Sequence, residues 1–252
     1  MAFYPDEGEI YKANEKKDGK NSDTLIFFVH FFGGHKKALR RHIEFVNELG
    51  YDAYAFNLRD ELNEHYYVPY SEVSEKFGMK HAMADQIEEH LDLITGYKSI
   101  IVFAFSNIAG CAIEAMARRD ISPFKALICD SGPGASFVQS SYRFLGEQFN
   151  VRFLPLRLLA TPLFILSWSK AGHKDIPEDL KKFPNGFPVL SIRGWKDVLI
   201  KTDDIDQIFE PCKNINWTKL SLPEAQHLTG LKDCPNEYRS GVEDFLKNLS
   251  AD

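Results

Sequence analysis

The amino-acid sequence predicts an α/β protein with a mostly parallel central sheet flanked by helices. Short apolar runs alternate with longer stretches of helical period along most of the chain. Most of the runs are nearly continuous in apolar residues, which is typical of parallel strands covered on both faces. The 252 residues, 44% of them hydrophobic, suffice for one large domain or for one domain with a sizeable insertion.

The individual elements follow in chain order. EIYKAN (9–14) precedes the first strong strand and predicts an edge strand. The strong strands are TLIFFVH (24–30), DAYAFNL (52–58), SIIVFAF (99–105), FKALICD (124–130), PVLSIRG (188–194) and NWTKLS (216–221). Helical periodicity predicts helices between them, at 37–49, 78–95, 107–119, 203–210 and 236–249.

The interval 133–187 interrupts this alternation, because it has no clear strand and its apolar clusters are broken by prolines. We interpret it as a helical cap inserted after the strand at 124–130, on an α/β core formed by residues 1–132 and 188–252. Ten large apolar side chains lie between residues 153 and 168. So much apolar surface is not expected to face water, so most of it should pack onto the sheet or over a site. Sealing the core is the simpler of these two roles.

Composition and charge exclude several classes of function. The chain carries 30 basic and 36 acidic residues, a net charge of −6, which argues against a nucleic-acid surface. The mixed-sign segment 12–20 reads as a solvated loop. The longest apolar stretch, 153–168, is short for a membrane span and contains Arg157 and two prolines.

The N-terminus lacks the pattern of a signal peptide, so we expect a cytoplasmic protein. The four cysteines are scattered without metal-ligand spacing and are expected to be reduced thiols. We expect neither a metal nor a cofactor. The oligomeric state is left open.

Candidate functional residues follow the ends of the predicted strands, where ligands gather in open α/β sheets. His30 to Gly34 follow the first strong strand, and Arg59 and Asp60 follow the next one. Further along the chain come Ser106, then Asp130 to Gly132, and then Asp197 and His227. A serine, candidate acids and a histidine should therefore meet at one edge of the sheet.

Four segments, in this order, resemble the α/β-hydrolase family, and the resemblance covers about residues 22–249. VHFFGG is similar to the H-G-x-G-G loop, and AFSNIAG occupies the place of the nucleophile elbow G-x-S-x-G. VLSIRGWKDVLI resembles the segment with the triad acid, and LPEAQHLTG resembles the segment with the triad histidine. The interval 133–187 stands where many members insert a lid.

The resemblance implies a role for each matching residue. Ser106 would be the nucleophile and His227 the base that takes its proton, because a serine hydroxyl is a poor nucleophile without one. Asp197 would hold the imidazole in the useful tautomer. The backbone N–H groups of Phe32 and Asn107 would form the oxyanion hole.

Some positions depart from the family pattern or leave alternatives open. Ile108 stands where the elbow usually has a glycine, and Phe31 replaces the glycine after His30. Asp130 is the alternative to Asp197, since some members place their acid after that strand. His30 is expected to orient the oxyanion loop, whereas Arg59 and Asp60 are expected in a solvated loop.

The resemblance implies a serine hydrolase that cleaves carboxylic esters of small to medium apolar acyl groups. Phe31, Phe164 and Trp168 are candidates for the walls of an apolar acyl pocket. A small-molecule ester is the expected partner. Two alternatives stay open: a member that only binds a ligand or partner protein, and an acyltransferase, thioesterase or C–C hydrolase with the same triad.

Overall fold

The computed structural model describes residues 8–13, 23–59 and 70–249. Seven strands form one sheet in the order β1-β3-β2-β6-β7-β8-β9, and β1 is antiparallel to its neighbour while all other pairs are parallel. The strands are β1 Glu9–Tyr11, β2 Thr24–Val29, β3 Asp52–Ala55, β4 Tyr70–Ser71, β5 Lys76–Phe77, β6 Ser99–Phe105, β7 Phe124–Asp130, β8 Phe187–Gly194 and β9 Ile215–Leu222. The predicted mostly parallel sheet is confirmed.

Helices cover both faces of this sheet. They are α1 Arg40–Glu48, α2 Met79–Asp92, α3 Ala109–Ala117, α4 Phe137–Glu147, α5 Leu154–Trp168, α6 Ile176–Leu180, α7 Thr202–Phe209, α8 Gly230–Asp233 and α9 Pro235–Asn248. Short 3₁₀ turns at Lys36–Leu39 and Ser106–Ile108 lead into α1 and α3.

Alternate residues of each strand supply two separate cores. In β2, Phe27 packs on the face covered by α2, α3 and α7, and Phe28 on the face covered by α1 and α9. This alternation follows from the two-residue period of a strand, and it explains why the central strands are apolar throughout. Both side chains are fully buried.

Two predictions about the sheet need correction. The strand predicted at 52–58 ends at Ala55, because the N–H groups of Leu58 and Arg59 donate to the side chains of His30 and Gln86 and not to a neighbouring strand. The hairpin of β4 and β5 lies in a stretch where the sequence indicated no strand. Asp60 and most of the segment 12–20 lie outside the described residues.

The interval 133–187 is helical and contains α4, α5 and α6. The expectation that its apolar side chains are mostly packed inward is wrong for the segment 153–168. Seven of the ten are exposed, because one side of α5 contacts the rest of the protein and the other points away from it: Phe153, Leu154, Leu156, Leu158, Leu159, Leu163 and Leu166. Within the described residues no helix is long and apolar enough to cross a membrane.

A buried ionic network joins this interval to the core helices. The Nζ atom of Lys80, on α2, lies 2.6 Å from Asp175 Oδ1 and 3.2 Å from Glu114 Oε2. His81 contacts Glu114 at 2.6 Å and the hydroxyl of Ser169, at the end of α5, at 3.2 Å. Through Ser169 and Asp175, the network holds both ends of the 169–175 segment to the core helices. Removal of one partner would leave a buried charge without its counter-charge, which is strongly destabilising.

Candidate active site

Ser106 lies where strand β6 turns into helix α3. Its backbone has φ +55°, the left-handed region that residues other than glycine rarely adopt. Phe105 before it is extended, and the turn over Ser106–Ile108 after it is helical. Such an abrupt change of direction is typical of the strained strand-to-helix turn of a nucleophile elbow, which lifts a serine hydroxyl out of the sheet.

The structure brings Ser106, His227 and Asp197 together from three loops that follow β6, β9 and β8. Ser106 Oγ lies 3.0 Å from His227 Nε2, and His227 Nδ1 lies 2.6 Å from Asp197 Oδ2. The other oxygen of the buried Asp197 carboxylate accepts hydrogen bonds from the N–H groups of Leu199 and Ile200, at 2.8 and 2.9 Å. The carboxylate is therefore held in place to accept a hydrogen bond from Nδ1–H, which leaves Nε2 unprotonated and able to accept a hydrogen bond from the serine hydroxyl.

Asp130 occupies a different position from that of Asp197. Its carboxylate accepts hydrogen bonds from Ser131 Oγ at 2.8 Å and from the Tyr238 hydroxyl at 2.7 Å. Ser131 Oγ in turn accepts the N–H of Leu228, the residue after His227, at 3.1 Å. Burial raises the pKa of Asp130 to about 6. Asp130 thus supports the loop of His227 from behind and makes no hydrogen bond to the imidazole in the part of the chain that is described.

Ile108 and Gly132 both lie close to the turn at Ser106, one in the core and one on the neighbouring strand end. Ile108 is fully buried in the core beneath α3. The closest backbone approach is made by Gly132, where an added Cβ would lie 2.6 Å from both the carbonyl carbon and the oxygen of Ser106. A close backbone contact with the turn at Ser106 is therefore made from the loop after β7.

His30 organises the loop that carries Phe31 and Phe32. The N–H of Leu58 donates to His30 Nε2 at 2.8 Å, so the ring proton sits on Nδ1 and is donated to the carbonyl of Phe31 at 2.8 Å. Burial lowers the pKa of His30, which favours this neutral form. Phe31 is also the acceptor of a turn hydrogen bond from Gly34, at 2.9 Å. These contacts hold the loop beside the serine.

Both candidate oxyanion donors lie beside Ser106, the candidate nucleophile. Phe32 and Asn107 line the same cavity as Ser106 and His227. Asn107 is the second residue of a helical turn, where N–H groups have no acceptor within the helix and attract negative charge. Its side chain accepts the N–H of Gly134 at 3.3 Å and is thereby held in place.

The cavity above Ser106 has a volume of about 390 Å³ and is mainly aromatic. The ring of Phe32 lies edge-to-face with Phe144 at 5.7 Å and with Phe164 and Trp168 at 6.0 Å between ring centroids. Phe31 lines the cavity as well. Among the described residues no lysine, arginine, aspartate or glutamate lines it. Its walls are thus suited to an uncharged apolar group.

Sequence reasoning missed three aromatic residues of this cavity, Phe137, Phe144 and Phe149. Phe137 and Phe144 are seven residues apart on α4 and so lie on one face of that helix, which is the signal that identifies them. Arg59 lines a smaller, adjacent cavity of about 240 Å³ that shares Phe31, Phe32 and Gly33 with the main one.

One group of described residues has the side chains for a metal site. His81, Glu114 and Asp175 lie within 4.8 Å of one another. The ammonium group of Lys80 contacts both carboxylates, and the guanidinium of Arg118 pairs with Glu114. These cations supply the positive charge that a metal would bring, and Ser106 is not part of the group.

Comparisons with known proteins agree on the fold. No protein-family model and no curated protein matches the sequence. The Pyrococcus furiosus esterase Pf2001 superposes with a TM-score of 0.65 at 19% identity, over 99% of this chain and 95% of that one. A highly thermostable carboxyl esterase from Bacillus coagulans gives 0.66 at 14% identity, over 96% and 94% of the two chains.

A third structure, the α/β-hydrolase enzyme MGS-M2 from a Medee basin deep-sea metagenome library, gives 0.62 at 14% identity, over 96% and 94%. At such low identity these similarities show a shared fold, across nearly the whole of each chain.

Proposed function

We propose that this chain, which has the α/β-hydrolase fold, is a serine hydrolase that cleaves carboxylic esters of small to medium apolar acyl groups. One observation carries the proposal: the hydrogen-bonded series Asp197–His227–Ser106 opens into an aromatic cavity. A histidine joined to both a serine and a buried carboxylate is the arrangement that activates a hydroxyl at neutral pH.

In the proposed mechanism, His227 Nε2 removes the proton of Ser106 Oγ as that oxygen attacks the ester carbonyl. The developing negative charge on the carbonyl oxygen is stabilised by the N–H groups of Phe32 and Asn107. The imidazolium, stabilised by Asp197, then protonates the leaving alkoxide, and an acyl-enzyme remains on Ser106. Water deprotonated by His227 attacks this acyl group and releases the acid and the free serine.

The size and lining of the cavity support an apolar acyl group of a few carbons. Each methylene that moves from water into an apolar cavity contributes about 0.8 kcal/mol, so two carbons improve binding roughly tenfold. We therefore expect kcat/KM for p-nitrophenyl esters to rise from acetate to butyrate and to fall once the cavity is full. Charged acyl groups should be poor substrates, because the cavity walls offer them no opposite charge.

We further propose that residues 133–187 act as a cap over the site. Phe144 on α4 and both Phe164 and Trp168 on α5 contact the ring of Phe32 beside the nucleophile. The cap would thus supply much of the acyl cavity, while the sheet supplies the triad.

Labelling with a fluorophosphonate probe tests the catalytic proposal directly. The parent protein should be labelled on Ser106, and the variant Ser106→Ala should not. Circular dichroism of both proteins controls for folding. A folded parent that resists labelling and hydrolyses no p-nitrophenyl ester would overturn the proposal and favour a ligand-binding protein.

A further inference from the structure

Helix α5 is apolar on two opposite faces. Its inner face places Phe164 and Trp168 in the cavity above Ser106. Its outer face consists of Phe153 just before the helix and the six leucines 154, 156, 158, 159, 163 and 166, whose exposed fractions run from 52 to 68%. A helix that is apolar all round is ordinarily enclosed by protein or by lipid. On α5 the protein encloses one face only.

An exposed aromatic residue of the cavity, Phe149, comes shortly before the outer α5 face along the chain. Phe149 lines the cavity and yet is 57% exposed, and its ring packs edge-to-face on Phe144 at 5.4 Å. It lies four residues before Phe153, where the outer face begins. Contiguous apolar surfaces of this kind mark interaction sites in soluble proteins.

The charged residues in the stretch of chain that carries the outer α5 face are all of one sign. Residues 148–174 contain Arg152, Arg157, Lys170 and Lys174 and no acidic residue, although the whole chain has a net charge of −6. Arg152 and Lys170 are exposed and stand at opposite ends of α5. Asp175, the acid that follows this stretch, is paired with Lys80.

We propose that the outer α5 face docks on the surface of an anionic phospholipid layer. The leucines would enter the boundary between headgroups and acyl chains, while Arg152 and Lys170 contact the phosphates at the two ends of the helix. At 15 residues the helix is about 22 Å long and lies along such a surface without crossing it. A second copy of the chain fits this face less well, because a two-fold contact with antiparallel helices would bring Arg152 of each copy near Lys170 of the other.

Vesicle co-sedimentation tests the docking. The protein carries Ser106→Ala so that catalysis cannot alter the lipid, and the vesicles are phosphatidylcholine with or without about 30% phosphatidylglycerol. Binding should be strong on the anionic vesicles, weak on the neutral ones, and reduced by 0.5 M salt. Because binding is read without hydrolysis, its failure and the failure of the proposed catalysis are separate results.

Three variants of that protein locate the surface. The double variant Leu159→Asn and Leu163→Asn should lose at least tenfold in vesicle affinity. Arg152→Gln with Lys170→Gln should lose about 25-fold on anionic vesicles, since each basic residue near the surface contributes about fivefold. The matched control is Leu93→Asn. Leu93 is 51% exposed at the end of α2, at the edge of the sheet opposite to Ser106. This variant should bind like the parent.

Three outcomes would overturn the proposal. The first is equal binding by the outer-face double variant and the Leu93 control. The second is equal binding to neutral and anionic vesicles. The third is a parent that binds neither and forms a dimer, by light scattering, that the outer-face substitutions dissociate. That result would assign the face to contact between copies of the chain.

Discussion

Substitution of Gly132 by alanine tests the elbow geometry most sharply. An alanine Cβ at this position would lie 2.6 Å from the carbonyl carbon and oxygen of Ser106. Ordinary contact begins near 3.4 Å, so the two backbones must separate by about 0.8 Å. Neither can move freely, because Ser106 is held between β6 and α3, and Gly132 follows Ser131, whose hydroxyl is bonded to Asp130.

This displacement would move Ser106, the proposed nucleophile. The bond from Ser106 Oγ to His227 Nε2 is 3.0 Å in the parent, and a shift of the elbow by 0.8 Å takes it out of good hydrogen-bond range. Misplacement of a reacting atom by about 1 Å costs on the order of 100-fold in rate. We expect that loss in kcat/KM, and an overpacking cost of about 1–3 kcal/mol in the free energy of unfolding.

The assay is the rate of fluorophosphonate labelling, with p-nitrophenyl butyrate hydrolysis as a second readout and urea unfolding as the stability measurement. Gly241→Ala is the matched control, since its Cβ would meet a side-chain methyl of Leu220 at 2.7 Å, and a side chain can rotate away. That variant should keep full activity. A stable Gly132→Ala protein that labels within threefold of the parent would refute the reasoning.

Three further predictions concern the acids, a buried histidine and the cavity. Asp197→Asn should lower turnover about 10,000-fold, whereas Asp130→Asn should lower it less than tenfold. If steady-state kinetics give the larger loss for Asp130→Asn, then Asp130 and not Asp197 is the triad acid. Burial lowers the pKa of His42 to about 4, so folding favours its neutral form and stability is lost as pH falls from about 6.5 towards 4. The parent should lose free energy of unfolding between pH 7 and pH 5, and in His42→Phe this loss, measured by urea unfolding, should be smaller by about 2 kcal/mol. An equal loss in the two proteins would exclude His42 as its source. Phe164→Ala should flatten the rise in kcat/KM from p-nitrophenyl acetate to butyrate, and an unaltered profile would place the acyl group elsewhere.

Most of the sheet could be predicted from the sequence, because its pattern is local. SIIVFAF and FKALICD are strands at the predicted residues, since an unbroken apolar run between polar ends can only be buried on both faces. The meeting of Ser106, Asp197 and His227 also followed, because parallel strands end at one edge and each residue follows a strand. The end of β3 could not be predicted in this way. The N–H groups of Leu58 and Arg59 after it donate to the side chains of His30 and Gln86, which come from other parts of the chain.

By itself the sequence determined which residues could reach the site, through strand order and the position of each polar residue after a strand. The resemblance favoured Asp197 over Asp130 as the acid, but both residues follow strands, and the distance of 2.6 Å between Asp197 and the imidazole depends on the path of the loop after β8. Only the tertiary structure shows which face of α5 is buried. The apolar composition of α5 predicts that the helix is buried, but its actual exposure depends on which other elements pack against it. The protein covers only the side of α5 that faces Ser106.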